Sequence, residues 1–390
     1  MNKKKLLMMS IALLLCLQLN AQQKYHPVFV SGKEGYKSFR IPAMIGLKDG
    51  TILAFCEGRV NNAGDFGDID IVMKSSKDQG KTWSDLQVVA EFGNLQLGNP
   101  APVLDLTDPR FPKGRIFLFY NTGDHGEAEI INGKGIKRCK YKTSTDGGQS
   151  WSEEVDITTQ VHRPNQPAVD PQYNFKEDWR YYANTPGHAM QFQSGKYKGR
   201  MFVAANHTAG APKARAEHYV AHGYYTDDHG QTFKLGNSLD LPGSNESMAA
   251  ELSGGRLMMN SRNQKGDQKE RIVSISSDGG ASWDNTYFDP VLIDPVCQGS
   301  ILNIAEKKGK NVLAFCNAAD TRQRDQLTLR ISFDDGKTWA RKIPVYQGAG
   351  QPNIAYAAYS DLLKLSEKKI GVLFEKDNYS EIAFSAVDWK

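Results

Sequence analysis

Ser76-Lys77-Asp78-Gln79-Gly80-Lys81-Thr82-Trp83 is the stretch on which the fold turns. It has the form S-x-D-x-G-x-T-W and returns four more times: S-T-D-G-G-Q-S-W at Ser144–Trp151, T-D-D-H-G-Q-T-F at Thr226–Phe233, S-S-D-G-G-A-S-W at Ser276–Trp283 and S-F-D-D-G-K-T-W at Ser332–Trp339. The aspartates at 78, 146, 228, 278 and 334 recur at an irregular period of roughly 50 to 80 residues, the signature of a repeat architecture whose insertions form loops. Each copy reads as a tight β-hairpin. Asp and Gly supply the positive φ angles and the side-chain-to-backbone bonds of the turn, and the closing aromatic packs beside it.

A single copy would be read as a surface turn. Five copies ending in an aromatic residue are hard to obtain by chance. The motif is the Asp box and predicts an all-β fold, a β-propeller with Asp-box repeats. It carries little chemistry, since such boxes sit on a propeller's rim and also occur in non-enzymes.

A second repeat supports this. Apolar strand-like runs begin at Thr51, Arg115, Arg200, Arg256, Asn311 and Ile370, and each of the first five is followed by an Asp box. Continuous apolar runs suit strands buried on both faces. Six of them predict a six-bladed β-propeller with about four strands per blade. Tyr25–Val30 is expected to complete the last blade and remove a sheet edge. Gly123–Cys139 and the long unit Thr158–His207 are candidate loops over one face.

The first 21 residues read as a secretion signal: Lys3, Lys4 and Lys5, an apolar run Leu6–Leu19, and a cleavage site after Ala21. The run is too short for a comfortable membrane span, and bulky Leu15 before Cys16 argues against lipidation. A secreted or periplasmic product is expected, with residues 22–390 forming one domain. The formal charge of +4 includes the leader lysines, and no basic stripe points to nucleic acid. Cys56, Cys139, Cys297 and Cys316 show no C-x-x-C spacing, which argues against zinc and thioredoxin-like chemistry; no metal or organic cofactor is expected. Cys56 and Cys316 end matching L-A-F-C runs and read as buried small hydrophobes.

In a propeller, chemistry collects at one end of the central channel. Arg40 in F-R-I-P, Arg262 in N-S-R and Arg324 ahead of the fifth box come from strands or strand ends of three different units. An arginine in an apolar strand needs a partner or a ligand. Three converging arginines suit one carboxylate held by bidentate forks.

With these pieces, and with Gly58-Arg59, Asp65–Asp70, Asn245-Glu246, Glu251-Leu252 and Ala358-Tyr359-Ser360, the chain from residue 25 onward resembles the exo-sialidases (neuraminidases) of bacteria and animals. The resemblance implies that Arg40, Arg262 and Arg324 grip the carboxylate of sialic acid. Arg324 is preferred to Arg322 for its distance from the following strand. It implies Asp65 as acid/base, Tyr359 as nucleophile, Glu246 as the base that activates it, Glu375 as the brace of Arg40, and Arg59 and Asn99 as pocket-lining residues.

The residue types make chemical sense. The substrate carries a carboxylate on its anomeric carbon, which repels an anionic nucleophile. A tyrosine hydroxyl stays neutral until a neighbouring base takes its proton; the tyrosine exception among retaining glycosidases is itself a known rule. Asp65 must be protonated to assist the leaving group, a state that desolvation in an apolar loop would favour. The expected function is hydrolysis of terminal α-linked sialic acids from glycoproteins, glycolipids and oligosaccharides by a monomer. The alternatives are a trans-sialidase or anhydro-forming sialidase, and a non-catalytic sialoglycan-binding propeller.

Overall fold

Every strand that an L-A-F-C-like run builds has apolar residues on both faces, and each face feeds a different core. In the computed structural model, which describes residues 24–212 and 215–390, Val312, Ala314 and Cys316 enter one hydrophobic cluster while the intervening Leu313 and Phe315 enter another. Ala54 and Cys56 part from Leu53 and Phe55 in the same way. Successive side chains of a strand point to opposite faces, so such a strand must lie in a sheet sandwiched between two others. The proposed leader falls outside the described residues.

The strands follow in chain order. β1 is His26–Val30. β2 (Ser38–Gly46), β3 (Ile52–Arg59), β4 (Ile69–Ser76) and β5 (Gln87–Ala90) form an antiparallel meander, followed by β6 (Gln96–Asp105), β7 (Arg115–Gly123), β8 (Lys137–Ser144) and β9 (Val155–Asp156). β10 (Trp179–Asn184), β11 (Met190–Gln191), β12 (Met201–Ala209), β13 (Tyr219–Thr226) and β14 (Lys234–Leu235) make the next sheet. Two four-stranded sheets come after it: β15 (Ser244–Leu252), β16 (Arg256–Asn263), β17 (Glu270–Ser276) and β18 (Asn285–Ile293), then β19 (Gly299–Lys307), β20 (Lys310–Ala318), β21 (Leu327–Ser332) and β22 (Arg341–Tyr346). The last sheet combines β23 (Ala357–Lys364), β24 (Lys369–Lys376) and β25 (Glu381–Asp388) with β1, which pairs antiparallel to β25. The N-terminal strand therefore closes the last sheet, as the sequence predicts.

The innermost strands touch in a ring: β2 meets β6 and β23, β11 meets β6 and β15, and β19 meets β15 and β23. The arrangement is a β-propeller. Hydrogen bonding defines five sheets among the described residues rather than the six separate blades expected. The reason is local: a parallel bridge between Ile69 and Gln96 joins β4 to β6 and fuses two meanders into one eight-stranded sheet.

The Asp boxes link the third and fourth strands of five meanders, at the turn remote from the ring. All five share one bonding pattern. In the first, Ser76 Oγ donates to Asp78 Oδ1 (2.9 Å) and accepts from Gly80 N (2.9 Å), while Asp78 accepts from Thr82 N (2.9 Å) and Thr82 Oγ1 (2.7 Å). Asp146, Asp228, Asp278 and Asp334 accept from their own residue four positions on in the same way. The glycine is fixed by position as well as by φ. At Gly80 (φ +83) and Gly280 (φ +90) an added Cβ would lie 2.1 Å from Phe384 and 2.3 Å from Phe202, aromatic rings of the preceding meander. Trp83 and Trp283 stack edge-on against those same rings. Each box thus fastens its meander to the meander before it.

Candidate active site

At the opposite, channel end, four inner strands carry the same irregularity. In β2 the register slips between Arg40 and Ala43, in β6 between Gly98 and Ala101, in β15 between Ser244 and Ser247, and in β23 between Ala357 and Ser360. Each slip sets two residues against one on the neighbouring strand: Ile41-Pro42 against Cys56, Asn99-Pro100 against Tyr120, Asn245-Glu246 against Arg262, and Ala358-Tyr359 against Glu375. A bulge of this kind bends the strand and re-aims a side chain, and it favours functional sites. Ile41 (φ +61) and Asn99 (φ +54) take the left-handed backbone that two of these bulges require. Proline follows each of them, and within a bulge its missing N–H costs no ladder bond.

The bulges open onto a cleft of about 190 Å³. Arg40, Arg59, Asp65, Asn99, Glu246, Arg262, Arg324 and Tyr359, spread over more than 300 positions of sequence, all line it. Glu375 lies beneath, fully buried. Its Oε1 accepts from Arg40 Nε (2.6 Å) and from Ile41 N (2.9 Å), and its Oε2 from Tyr359 N (3.2 Å). One carboxylate on β24 therefore fixes both the Arg40 guanidinium and the backbone of Tyr359.

Tyr359 is 5% exposed, and its hydroxyl makes a short hydrogen bond to Glu246 Oε1. Arg262 Nη1 donates to Glu246 Oε2 (2.7 Å) and to the Tyr359 hydroxyl (3.0 Å). Arg40 and Arg324 lie over the tyrosine ring, 5.6 and 5.4 Å from its centroid. Burial pushes the phenol well above its ordinary pKa and Glu246 adds to that, while Arg262 and Arg324 pull the other way without reversing it. The hydroxyl is neutral at rest and already bonded to a base. Arg324 also donates to Tyr379 Oη (3.1 Å) and Val296 O (3.2 Å). Arg322 points elsewhere, with 85% of its side chain exposed beside Asp320.

Asp65 departs from expectation. Its loop between β3 and β4 is exposed rather than apolar, and 80% of the Asp65 side chain is accessible. Desolvation raises its pKa, but Arg59, Arg40 and Arg324 together outweigh that effect, so the carboxyl sits below the ordinary carboxylate range. Arg59 Nη1 holds it at 2.8 Å and also donates to Ala63 O (2.5 Å). Behind Arg59 stands Glu57, buried, which takes Arg59 Nη2 (2.6 Å) on one oxygen and Asn99 N (2.9 Å) on the other.

The sequence reading missed Glu57, Gln96, Tyr181 and Tyr379. Glu57 had a visible signal, a carboxylate two residues before an arginine at the end of an apolar strand. Tyr379, whose ring centroid lies 3.9 Å from Arg40 Cζ, comes from a turn with no motif. Glu127, from the short helix α1 (Glu127–Ile131) in the expected Gly123–Cys139 loop, also lines the cleft. Among the described residues no helix is long and apolar enough to cross a membrane.

Chemically, the cleft gathers three guanidiniums, a tyrosine bonded to a glutamate, and an accessible carboxylate. Comparison with known proteins places the chain in a family. Residues 50–372 match the BNR repeat-like domain family. A sialidase of Micromonospora viridifaciens is 32% identical over 363 residues, 89% of this chain and 51% of that protein, so the chain spans about half that relative's length. A sialidase of Paraclostridium sordellii is 30% identical over 360 residues, 88% of this chain and 82% of the relative. Among solved structures, the Hadza microbial sialidase Hz136 is 23% identical with a TM-score of 0.76 over 93% of this chain and 68% of that one. The intramolecular trans-sialidase of Ruminococcus gnavus is 16% identical with a TM-score of 0.72 over 93% of this chain and 97% of its own. These two structural likenesses speak for the fold alone.

Proposed function

Because this chain belongs to the sialidase family, with a BNR repeat-like domain, we propose that it is an exo-α-sialidase, a retaining glycoside hydrolase that removes terminal α-linked sialic acid from glycans. The observation that carries this is the convergence of Arg40, Arg262 and Arg324 around the Tyr359–Glu246 pair in one cleft.

The substrate carboxylate enters among the three guanidiniums, which stabilise that anion and hold the ring near its oxocarbenium-like geometry. Tyr359 Oη attacks that carbon as Glu246 takes the phenolic proton. Asp65 gives a proton to the departing glycosidic oxygen. The C–O bond to the aglycone breaks and a bond to Tyr359 forms. In the second half, Asp65 takes a proton from water, the water oxygen displaces Tyr359, and Glu246 returns the proton to the phenolate. Two inversions give net retention.

The low pKa of Asp65 in the free site fits this sequence. Two of the charges that depress it, Arg40 and Arg324, are the ones an incoming carboxylate neutralises, so binding itself raises the acid toward its protonated form.

The fold is best counted as six blades. The eight-stranded sheet is held together by one bridge, and a separate hydrophobic cluster lies between its β2–β4 and β6–β7 halves, like those between the other sheets. Residues 22–390 are proposed as the catalytic domain of a secreted or periplasmic monomer acting on sialylated glycoproteins, glycolipids and oligosaccharides. Incubation with sialyllactose plus lactose tests the function. Free sialic acid supports hydrolysis, a sialylated acceptor or an anhydro-sugar would replace it with transfer, and no turnover of any sialoside would leave only a binding propeller.

A further inference from the structure

Lys137 is a lysine with no work in the chemistry above and an expensive location. It lies on β8 beneath the cleft, 2% exposed, and no carboxylate comes within ion-pair distance of its ammonium among the described residues. Burial lowers its pKa to about 8, against the opposing effect of Glu57, Glu127, Asp65 and Asp124, so it remains a cation at neutral pH. Long charged side chains are almost never fully buried unless something compensates them.

Among the described residues its one hydrogen bond is a short one from Nζ to Gln96 Oε1, and the centroid of the Tyr181 ring lies 5.3 Å from Nζ. Gln96 opens β6 at the seam where the first two meanders fuse, its backbone bridged to Ile69. On the other side of its amide, Nε2 donates to the carbonyl of Asp65 at 2.7 Å. A glutamine amide has two nearly isosteric ends and can present either one. An ammonium is a donor only, so it accepts no ambiguity: Oε1 must face Lys137, and Nε2 is then forced toward Asp65. Without the lysine only the Asp65 carbonyl selects the amide's orientation, and Oε1 loses the donor that holds the side chain in place.

We propose that Lys137 and Gln96 are positioning residues for the acid/base, a relay that anchors the backbone of the Asp65 loop of one meander to the body of the next. The Asp65 side chain is largely exposed and, among the described residues, has only Arg59 as a hydrogen-bond partner. The base of the loop is closed by the Val60 N–H bond to Asp68 O, and its middle is tied to the rest of the fold by Arg59 on Ala63 O and Gln96 on Asp65 O. Proton delivery is sensitive to distance, and a displacement of about 1 Å in such a group costs on the order of 10²-fold.

This inference rests on the assignment of Asp65 as the acid, and the test separates the two. Lys137→Met keeps the side chain's length and removes the donor. Gln96→Met removes the relay from its middle and is the second variant should Lys137→Met fold poorly. Both are measured on sialyllactose, whose sugar leaving group needs a proton, and on an aryl sialoside, whose phenolate leaves without one. The expected result is a fall in kcat/KM of about 10- to 100-fold on sialyllactose and less than about 3-fold on the aryl substrate, with the same leaving-group dependence in both variants. Equal losses on the two substrates would overturn the relay and leave a merely structural lysine. Retention of wild-type activity on sialyllactose by folded Gln96→Met would overturn it as well. If Asp65→Ala itself shows no leaving-group dependence, the acid assignment fails, and the relay with it.

Discussion

Glu375→Gln is the most discriminating single change, because one buried carboxylate serves two functional groups. Gln can still offer an oxygen to Arg40 Nε and Ile41 N, which now receive 2.6 and 2.9 Å bonds. Its NH2 then faces Arg40 Nη2 and Tyr359 N, both donors, so two bonds are lost. Charge-assisted bonds contribute about 1.5–3 kcal/mol each, and a buried ion pair broken on one side costs about 3–5 kcal/mol. The latter is the better figure here, since Glu375 is wholly buried and Arg40 nearly so. With about 2 cal/mol/K of unfolding entropy per residue, a chain of this size loses roughly 1.3 °C per kcal/mol, so the melting temperature should fall by about 4–6 °C.

The activity loss should exceed the stability loss. Arg40 keeps one bond but loses its charged partner, Tyr359 loses its backbone anchor, and kcat/KM on sialyllactose should drop at least about 10²-fold at a temperature where the variant is folded. Thermal melting and steady-state kinetics on the same preparation are sufficient. An unchanged melting temperature together with kcat/KM within about 3-fold of wild type would refute the idea that this carboxylate organises the cleft.

The other expectations are briefer. Tyr359→Phe removes one oxygen, so folding should hold while kcat falls by orders of magnitude; a slow fluorinated sialosyl substrate should add mass to the Tyr359 peptide of the wild type only. Arg324→Ala should weaken kcat/KM by about 2–4 kcal/mol in transition-state terms while Arg322→Ala changes it little, and the reverse order would misplace the third arginine. The pH profile should split in a set direction. The acid must be protonated and its pKa is depressed in the free enzyme, so the alkaline limb of kcat/KM falls at low pH; bound substrate neutralises Arg40 and Arg324, so the limb of kcat moves upward. Coincident limbs would speak against that electrostatic coupling. Gly280→Ala, which forces a Cβ to 2.3 Å from the Phe202 ring at a φ of +90, should lower the melting temperature without altering kinetics in the distant cleft.

How much of this was legible beforehand follows from how each feature is built. The Asp boxes are local: every bond in one joins residues at most four apart, so the whole device is written in eight consecutive letters. The apolar runs are local too, and their burial on both faces follows from continuous hydrophobicity. The cleft is different. Its residues reached the page through resemblance and through the oddity of charge in apolar strands, which singled out Arg40 but says nothing of where Arg324 points. The apolar setting expected for Asp65 was wrong because the residues flanking it, Gly64 and Phe66, do not fold over it, and Phe66 remains 39% exposed. The merging of two sheets hangs on one bridge at Gln96, which no periodicity records.

The four bulges show why the two ends of the molecule were read so unequally. At the outer end, regular hairpins repeat a sequence because the same backbone must be made each time, and repetition is what a reader of sequence detects. At the channel end the backbone device also repeats, two residues against one in β2, β6, β15 and β23, but the letters do not: Ile-Pro, Asn-Pro, Asn-Glu and Ala-Tyr. The bulge is what must be equivalent in each inner strand, since it turns the strand end toward a common axis. The side chain it presents must differ each time, because a carboxylate-binding, nucleophile-bearing cleft needs different chemistry from each direction. The opposing residue then becomes the natural partner: Arg262 lies across from Glu246 and bonds it, and Glu375 lies across from Tyr359 and holds its backbone. Repetition of geometry with divergence of chemistry hides the site from any search for repeats, while keeping each pair of partners on strands that the ladder already sets side by side.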